Sequence, residues 1–280
     1  MRKFYSLLFI LLIISCGTAD DEKELSEVID IAKTAEKDYN SYYSKNILNL
    51  FSPTRLAMRL GKEFYDIPKM ERQYVYTFLR GEFETATYSF MEHLDQFGLE
   101  MILFDVHKQG DTYRANYQIQ NTEDDMVSDF VVLYIEKDMN DRFKIVNFYS
   151  LEQGFSHGQI FKDIFKSVQD ESTSNQMLQY ESMNIIQGAK QLYANGKFEK
   201  AYDSLKTLRH SILKKPGISV LASRFASKVS QELYLEELRN MKEITPNKQS
   251  KLFYDCVIRN IQSDENGECT SEIESALIKS

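Results

Sequence analysis

The length, charge and composition of this chain already exclude several classes of protein. It has 280 residues, a formal net charge of −8 at pH 7 and 42% hydrophobic residues, enough apolar material for one large or two ordinary domains. An acidic chain without a basic stripe does not fit a nucleic-acid-binding protein or an extended electrostatic contact with anionic lipid. Only four prolines and eleven glycines occur, which is not typical of an all-β protein with many turns.

The amino terminus has the pattern of a secretory signal peptide. Arg2 and Lys3 give it a positive start, and Phe4–Ile14 is a largely apolar run. That run is shorter than the roughly twenty apolar residues that a permanent membrane-spanning helix needs. It ends in the small residue Ser15, followed by Cys16, and this ending resembles the lipobox of bacterial lipoproteins. An ordinary signal peptide with a chance cysteine is the alternative.

The lipobox resemblance implies that residues 1–15 are removed and that Cys16 is lipidated. The mature chain would then be anchored by lipid in a bacterial cell envelope, with the outer membrane favoured. Residues 16–24 are predicted to form an acidic tether, because small and acidic residues follow the cysteine without apolar periodicity. The triplet Asp20-Asp21-Glu22 is similar to the acidic surface-export signal of some gram-negative lipoproteins, and a plain solvated linker explains it equally well.

Three helices are predicted before the first strand, because apolar residues recur at steps of three and four. Pro53 suits the first turn of the second helix, and Gly61 suits its end. The predicted ranges are Leu25–Phe51, Pro53–Leu60 and a third helix from Pro68 or Lys69 to Gln96.

From Leu99 the period of the pattern changes to two, which indicates β-strands. In the first strand a regular alternation places Leu103 and Asp105 on one face. In the second strand Tyr117 and Asn116 lie on opposite faces. Turn residues, of which Gln109-Gly110-Asp111 are the clearest, divide the segment into a four-stranded antiparallel meander. The predicted strands are Leu99–Val106, Tyr113–Gln120, Phe130–Ile135 and Phe143–Tyr149.

Helices followed by such a sheet resemble the NTF2-like, or cystatin-like, architecture. The resemblance rests on the order of elements in residues 25–157, about half of the chain, and not on a sequence motif. It implies an α+β domain in the form of a cone whose open end can hold a pocket. Members of this family bind small molecules, act as enzymes or serve as scaffolds.

Residues 158–280 are predicted to form a second, all-helical domain. Within it, the stretch around Gly196 resembles the turn and second helix of a tetratricopeptide repeat. Phe198 would pack back on the first helix, Ala201 is small where the helices approach, and Leu205 continues the same face. The usual first-helix signature is missing and one copy is evident, so a generic helical hairpin remains the alternative. Neighbouring helices must complete such a stack, whose grooves bind peptide segments or other domains.

Two cysteines follow Cys16 along the chain. An oxidising compartment allows a disulfide between Cys256 and Cys269, and two free thiols are the alternative. Two cysteines without a nearby histidine do not make a zinc site, and the four histidines form no metal-binding pattern. No nucleophile motif or glycine-rich phosphate loop is found, so no catalytic residue, metal or cofactor is predicted.

One polar cluster is the candidate for a ligand pocket. Asp105 and His107 share a face of the first strand, and Asn116 and Gln118 share a face of the second. If the two faces coincide inside a cone, these side chains would orient a small ligand, with Asp105 and His107 as an acid–base pair. A solvated sheet face, the usual fate of such residues, is the favoured interpretation.

Together these patterns predict a non-catalytic, lipid-anchored envelope protein that acts as a protein–protein interaction or scaffold module. Its expected partners are an unidentified envelope protein and, through Cys16, the membrane. No nucleic-acid partner is predicted. The alternative is small-molecule binding, or a weak hydrolase or isomerase activity, in the cone of the sheet domain. Function inferred from fold resemblance is analogy.

Overall fold

The computed structural model describes residues 19–42, 45–123, 126–162, 173–263 and 269–279. The predicted α+β class is confirmed, because helices accompany one four-stranded antiparallel sheet. The chain divides into two compact units, the first containing the described residues up to Ser150 and those from Glu274 onward. The second unit is Leu151–Ile273, so the division falls a few residues before the predicted boundary between 157 and 158.

The predicted signal peptide and the predicted lipidation site, Cys16, lie outside the described residues. Within the described ranges, no helix combines the length and the apolar character needed to cross a membrane.

The helices of the first unit come before its sheet, as the periodicity predicts. Pro53 occupies the first turn of the second predicted helix, where the hydroxyl of Ser52 accepts a hydrogen bond from the Arg55 amide at 3.3 Å. Gly61 follows the end of that helix with a φ of +71°. The helices are α1 (Ala19–Asn40), α2 (Lys45–Leu50), α3 (Pro53–Arg59), α4 (Lys62–Tyr65) and α5 (Arg72–Gln96).

The sheet is an antiparallel meander in which the strands lie in chain order, as predicted. Gly110, in the first hairpin turn, has a φ of +61°, a conformation that glycine adopts without strain. Tyr117 is fully buried, and its hydroxyl donates a hydrogen bond to the Ala32 carbonyl of α1 at 2.9 Å. The face that carries Tyr117 is therefore the inner face, which α1 covers. The strands are β1 (Leu99–Gln109), β2 (Thr112–Asn121), β3 (Val127–Lys137) and β4 (Phe143–Ser150).

The start of α1 differs from the prediction, because the helix begins inside the segment expected to be a solvated tether. The carboxylate of Glu24 lies 2.8 Å from the Lys137 ammonium and accepts a hydrogen bond from the Tyr113 hydroxyl at 3.1 Å. The Lys137 contact is the largest reason that the pKa of Glu24 lies below its ordinary value. Ion pairs to distant strands, together with the favourable position of acids near a helix start, therefore order this segment.

The end of α1 also differs, since one helix was predicted to continue to residue 51. The side chain of Asn40 donates to the Met101 carbonyl and accepts from the Met101 amide, both at 2.8 Å. Glu36 accepts from the Leu103 amide at 3.3 Å. These side chains satisfy backbone groups on the open edge of β1, where unpaired groups would otherwise favour pairing with another strand.

The second unit is helical, as predicted. Residues 157–162 are helical, and the longer helices that follow pack against their neighbours along the chain. The labelled helices are α6 (Thr173–Ala194), α7 (Phe198–Lys206), α8 (His210–Leu213), α9 (Pro216–Ala226), α10 (Gln231–Ile244) and α11 (Lys248–Ser263). The last helix, α12 (Cys269–Ile278), begins in the second unit, and its residues from Glu274 onward belong to the first.

A buried carboxylate connects α7 to α10. Glu237 is 3% exposed, accepts a hydrogen bond from the Tyr202 hydroxyl at 2.6 Å and lies 2.8 Å from the Lys206 ammonium. A charge removed from water to this extent needs such partners, because burying it alone is very unfavourable.

Near the start of the second unit, Gly154 occupies a position that only glycine fits. Its φ is +74°, and a Cβ added there would collide with the Tyr254 hydroxyl. That hydroxyl donates to the Glu152 carbonyl at 3.0 Å, and the Gly154 carbonyl accepts from the Thr245 hydroxyl. These bonds attach the segment after the sheet to α11 and to the residues before it.

Candidate functional site

The candidate site lies on the outer face of the sheet, opposite Tyr117. Asn116 is adjacent to Tyr117 on β2 and therefore points to the other side of the strand. It is completely buried, although it belongs to the face that was expected to be solvated. This part of the sheet is thus not a wetted polar surface.

A β-bulge decides which side chains share the face of Asn116. Leu103 pairs with Tyr117, but the next paired residue of β1 is Asp105, which pairs with Asn116, so Phe104 is an extra residue. With the regular alternation predicted from the sequence, Asp105 would lie on the inner face beside Leu103. The extra residue transfers Asp105 and His107 to the outer face.

Three of the four predicted pocket residues form one hydrogen-bonded cluster. The Nδ1 atom of His107 lies 2.6 Å from Oδ2 of Asp105, and Nδ2 of Asn116 donates to the same oxygen at 2.8 Å. The side chain of Asp105 is 8% exposed and that of His107 is 19% exposed. Asp105 therefore holds both neighbours in fixed orientations. We name this set, Asp105, His107 and Asn116, the outer-face cluster.

The outer-face cluster leaves two polar atoms without a matching group. Among the residues that the structure describes, none forms a hydrogen bond with His107 Nε2 or Asn116 Oδ1, and both atoms are buried. Because the Asp105 carboxylate accepts from Nδ1–H, Nε2 is the acceptor nitrogen of His107 when the ring is uncharged. The amide oxygen of Asn116 is also an acceptor. The cluster therefore offers two acceptors that belong to one rigid network.

Gln118, the fourth predicted residue, contributes to a different contact. Its side-chain amide donates to the carboxylate of Glu274 on α12. Burial is the largest reason that the pKa of Glu274 is raised, and the Gln118 hydrogen bond opposes that rise. Gln118 shares the outer face, but the structure does not bring it into the cluster.

Arg114 and Tyr134 flank the cluster, and the sequence analysis did not select them. Arg114 is 5% exposed and pairs with His107 across the strands. Its guanidinium lies 5.6 Å from the centroid of the Tyr134 ring, and that of Arg59 lies at the same distance. Arg114 lies two residues before Asn116 on β2 and therefore on the same face of the strand. This spacing is the signal that could have identified Arg114 from the sequence. These residues add cationic and aromatic character beside the two acceptors.

The chemistry available in this cluster is recognition by hydrogen bonds and acid–base exchange by His107. In the described part of the chain, no three histidine, cysteine or acidic side chains come close enough to hold a metal ion.

The residues predicted to form the repeat turn lie in the hairpin of α6 and α7. Gly196 lies between α6 and α7 with a φ of +72°. The ring of Phe198 meets that of Tyr193 edge to face, with 5.0 Å between centroids. Ala201 and Leu205 are completely buried in the core of the second unit. These residues belong to one packed helical hairpin, and its assignment to a repeat family stays a prediction.

Cys256 and Cys269 are neighbouring, buried and unbonded thiols in the structure. The Cys256 thiol lies 4.0 Å from the Cys269 carbonyl oxygen and 3.3 Å from the Arg259 guanidinium. Burial is the largest reason that the pKa of Cys256 rises to about 12. Such a thiol is a poor nucleophile at neutral pH. The predicted disulfide stays a prediction, which the proximity of the two residues permits.

No protein-family model, curated protein or solved structure matches this chain.

Proposed function

We propose that this chain is a lipid-anchored protein of the bacterial envelope that binds other molecules without transforming them. In this proposal the sheet unit recognises a small polar ligand at the outer-face cluster, and the helical unit recognises a protein partner. The envelope location rests on the apolar run that ends in Cys16, which is a sequence argument.

Ligand recognition rests on a single observation: the two buried acceptors of the outer-face cluster. A buried polar atom without a partner is costly, about 1–3 kcal/mol, so such atoms in folded proteins are usually matched. A ligand with hydroxyl or amine donors, such as a sugar or an amino sugar, would supply the donors that His107 Nε2 and Asn116 Oδ1 lack. The nearby ring of Tyr134 would suit the apolar face of such a molecule.

A weak hydrolase or isomerase activity is the second candidate for the same site. The observation that favours it is the 2.6 Å contact between His107 and Asp105. A histidine whose ring is oriented by a carboxylate can act as a general base. In that case His107 would remove a proton from the bound hydroxyl through Nε2.

The order of helices and meander supports an NTF2-like assignment for the sheet unit, but the outer-face cluster lies on the side of the sheet opposite α1 and not inside the predicted cone. The hydrophobic core around Ala201 supports a repeat-like hairpin in the helical unit. Exposed side chains of α7, such as Lys200, would then face a peptide or domain of the partner.

Ligand-observed binding measurements test the sheet-unit proposal. Full-length protein in detergent is titrated with glucose, glucosamine and glycerol, and binding is followed by native mass spectrometry. We expect one of the sugars to bind wild type, and we expect Asn116→Leu and His107→Phe to lose that binding. His210→Phe, at an exposed histidine of α8, is the matched control. Equal binding by the cluster variants and the control would refute the site.

The Asp105→Asn variant distinguishes a binding protein from an acid–base enzyme. This change keeps the size of the side chain and removes the charge that orients His107. A binding protein would lose affinity only, whereas an acid–base enzyme would lose turnover by a factor of about 10² or more with a smaller change in KM.

Two further measurements test the remaining parts of the proposal. Cys16→Ala should leave the protein unprocessed or soluble, and normal membrane partitioning of this variant would contradict lipid anchoring. A photo-crosslinking residue placed at Lys200 should capture a specific envelope protein, whereas the same residue at Asn140, in an exposed turn of the sheet unit, should not. Equal capture at both positions would contradict recognition by the helical unit.

A further inference from the structure

Helix α5 carries an exposed aromatic stripe. Tyr74 is 76% exposed and Tyr88 is 46% exposed. Gly81 lies midway between them, seven residues from each, and an added Cβ there would meet nothing within 4 Å. Seven residues make about two helical turns, so all three positions lie on the same side of the helix. Met70, which is 90% exposed, extends this surface beyond the amino end of α5.

The aromatic stripe, Tyr74, Gly81 and Tyr88, points away from the core of its own unit. The opposite side of α5 is buried and supplies apolar side chains such as Leu79 and Phe83. The stripe is therefore not needed for packing within the unit, and the exposure of two large aromatic side chains on one helix marks a surface for association.

The charges on α5 are divided at Gly81. Arg72 and Arg80 precede the glycine, whereas acidic residues follow it, and all of these except Arg72 are exposed. The acidic residues are Glu82, Glu84, Glu92 and Asp95. A second α5 that crosses at Gly81 in the antiparallel direction would place its acidic half beside Arg80. A parallel crossing would place the acidic halves of both helices together, which is unfavourable.

The spacing of the aromatic stripe, like the charge pattern, fits a pair of antiparallel helices related by two-fold symmetry. In an antiparallel pair that crosses at Gly81, the residue seven positions before the glycine lies opposite the residue seven positions after it in the other copy. Tyr74 of each copy would therefore contact Tyr88 of the other. The absence of a side chain at Gly81 would allow the two helices to approach closely at the crossing point.

We propose that α5 is a self-association surface, and that its occupant is the α5 of a second copy of this chain. The interface is isologous, because the same stripe serves both copies. Contacts between Tyr74 and Tyr88, two turns to either side of the Gly81 crossing, supply the affinity, and the divided charges select the antiparallel direction. This inference is independent of the ligand site, which lies on the outer face of the sheet.

Cysteine crosslinking tests the proposal in the full-length protein in its membrane. Tyr74→Cys and Tyr88→Cys are made separately, tagged differently and co-expressed under mild oxidation. We expect a disulfide between the two variants and little disulfide within either variant alone. We also expect Gly81→Cys to crosslink with itself. The baseline is wild type, which contains the native cysteines, and Asn140→Cys is the control at an exposed position away from α5.

Each other outcome overturns the proposal. Crosslinking of Tyr74→Cys with itself as efficiently as with Tyr88→Cys would refute the antiparallel arrangement. Crosslinking no greater than that of Asn140→Cys would refute self-association through α5. Sedimentation equilibrium in detergent gives an independent measure: Tyr74→Asp, an exposed and therefore tolerated change, should weaken the dimer by about tenfold or more.

Discussion

Replacing Asp105 by alanine removes the residue that holds the outer-face cluster together. Its carboxylate accepts hydrogen bonds from His107 at 2.6 Å and from the fully buried Asn116 at 2.8 Å. A hydrogen bond to a charged group contributes about 1.5–3 kcal/mol, and the variant also regains the energy spent in burying the carboxylate. We therefore expect the free energy of unfolding of the sheet unit to fall by about 2–4 kcal/mol.

Hydrogen exchange measured by mass spectrometry is the suitable assay, because the chain has two compact units and a single global transition would mix them. The slowest amides of β2 report the opening of the sheet unit. Asp111→Ala, in the exposed turn after Gly110, is the matched control and should change stability by less than about 0.5 kcal/mol. If Asp105→Ala destabilises β2 no more than this control, the cluster is not a rigid assembly and the reasoning fails.

Three further predictions concern other parts of the chain. Lys206→Met leaves the buried carboxylate of Glu237 without its cation and should destabilise the helical unit by about 1–3 kcal/mol, measured by hydrogen exchange at the slowest amides of α10. Gly154→Ala forces a side chain into a left-handed backbone position against Tyr254 and should cost about 2 kcal/mol or more in the same assay. Glu24→Gln should lower the melting temperature at neutral pH. Because the pKa of Glu24 is depressed in the folded state, this difference should be fully present above the ordinary value of 4.5 and should disappear as the pH falls through the folded-state value.

Each of these variants has a control with the same chemistry. Lys200→Met removes an exposed lysine of α7 and should change stability by less than about 0.5 kcal/mol. Gly188→Ala fills open space in α6 and should stabilise by about 0.5–1 kcal/mol. Glu27→Gln changes an exposed acid on the same helix as Glu24. A test variant that matches its control would contradict the contact on which its prediction depends.

Local signals in the sequence were sufficient to predict most of the elements. Pro53 and Gly61 have backbone preferences that mark the start and end of α3 whatever surrounds them. Gly110 similarly marks the first hairpin, and the period of two along β2 identified its buried and its polar face. The α+β class follows from these signals, because each depends on residues close together in the chain.

The bounds of α1 could not be predicted in this way. Its amino end is ordered by Lys137, and its carboxyl end is fixed by the backbone of Met101. Both partners lie on strands that are distant in sequence, so no local pattern reveals these contacts. The acidic stretch before residue 25 has the composition of a linker, but it is helical from Ala19.

The sequence by itself determined the order of helices and strands, the turn residues and the polar residues available for a site. Only the tertiary structure decided which of those residues meet. The bulge at Phe104 arises from the pairing of β1 with β2, and one extra residue reverses the faces of Asp105 and His107. The same packing directs Gln118 to Glu274 and buries Asn116 on a face that alternation alone would leave in water. A periodic pattern states which residues share a face, whereas register and burial depend on the partner strand and on what covers it.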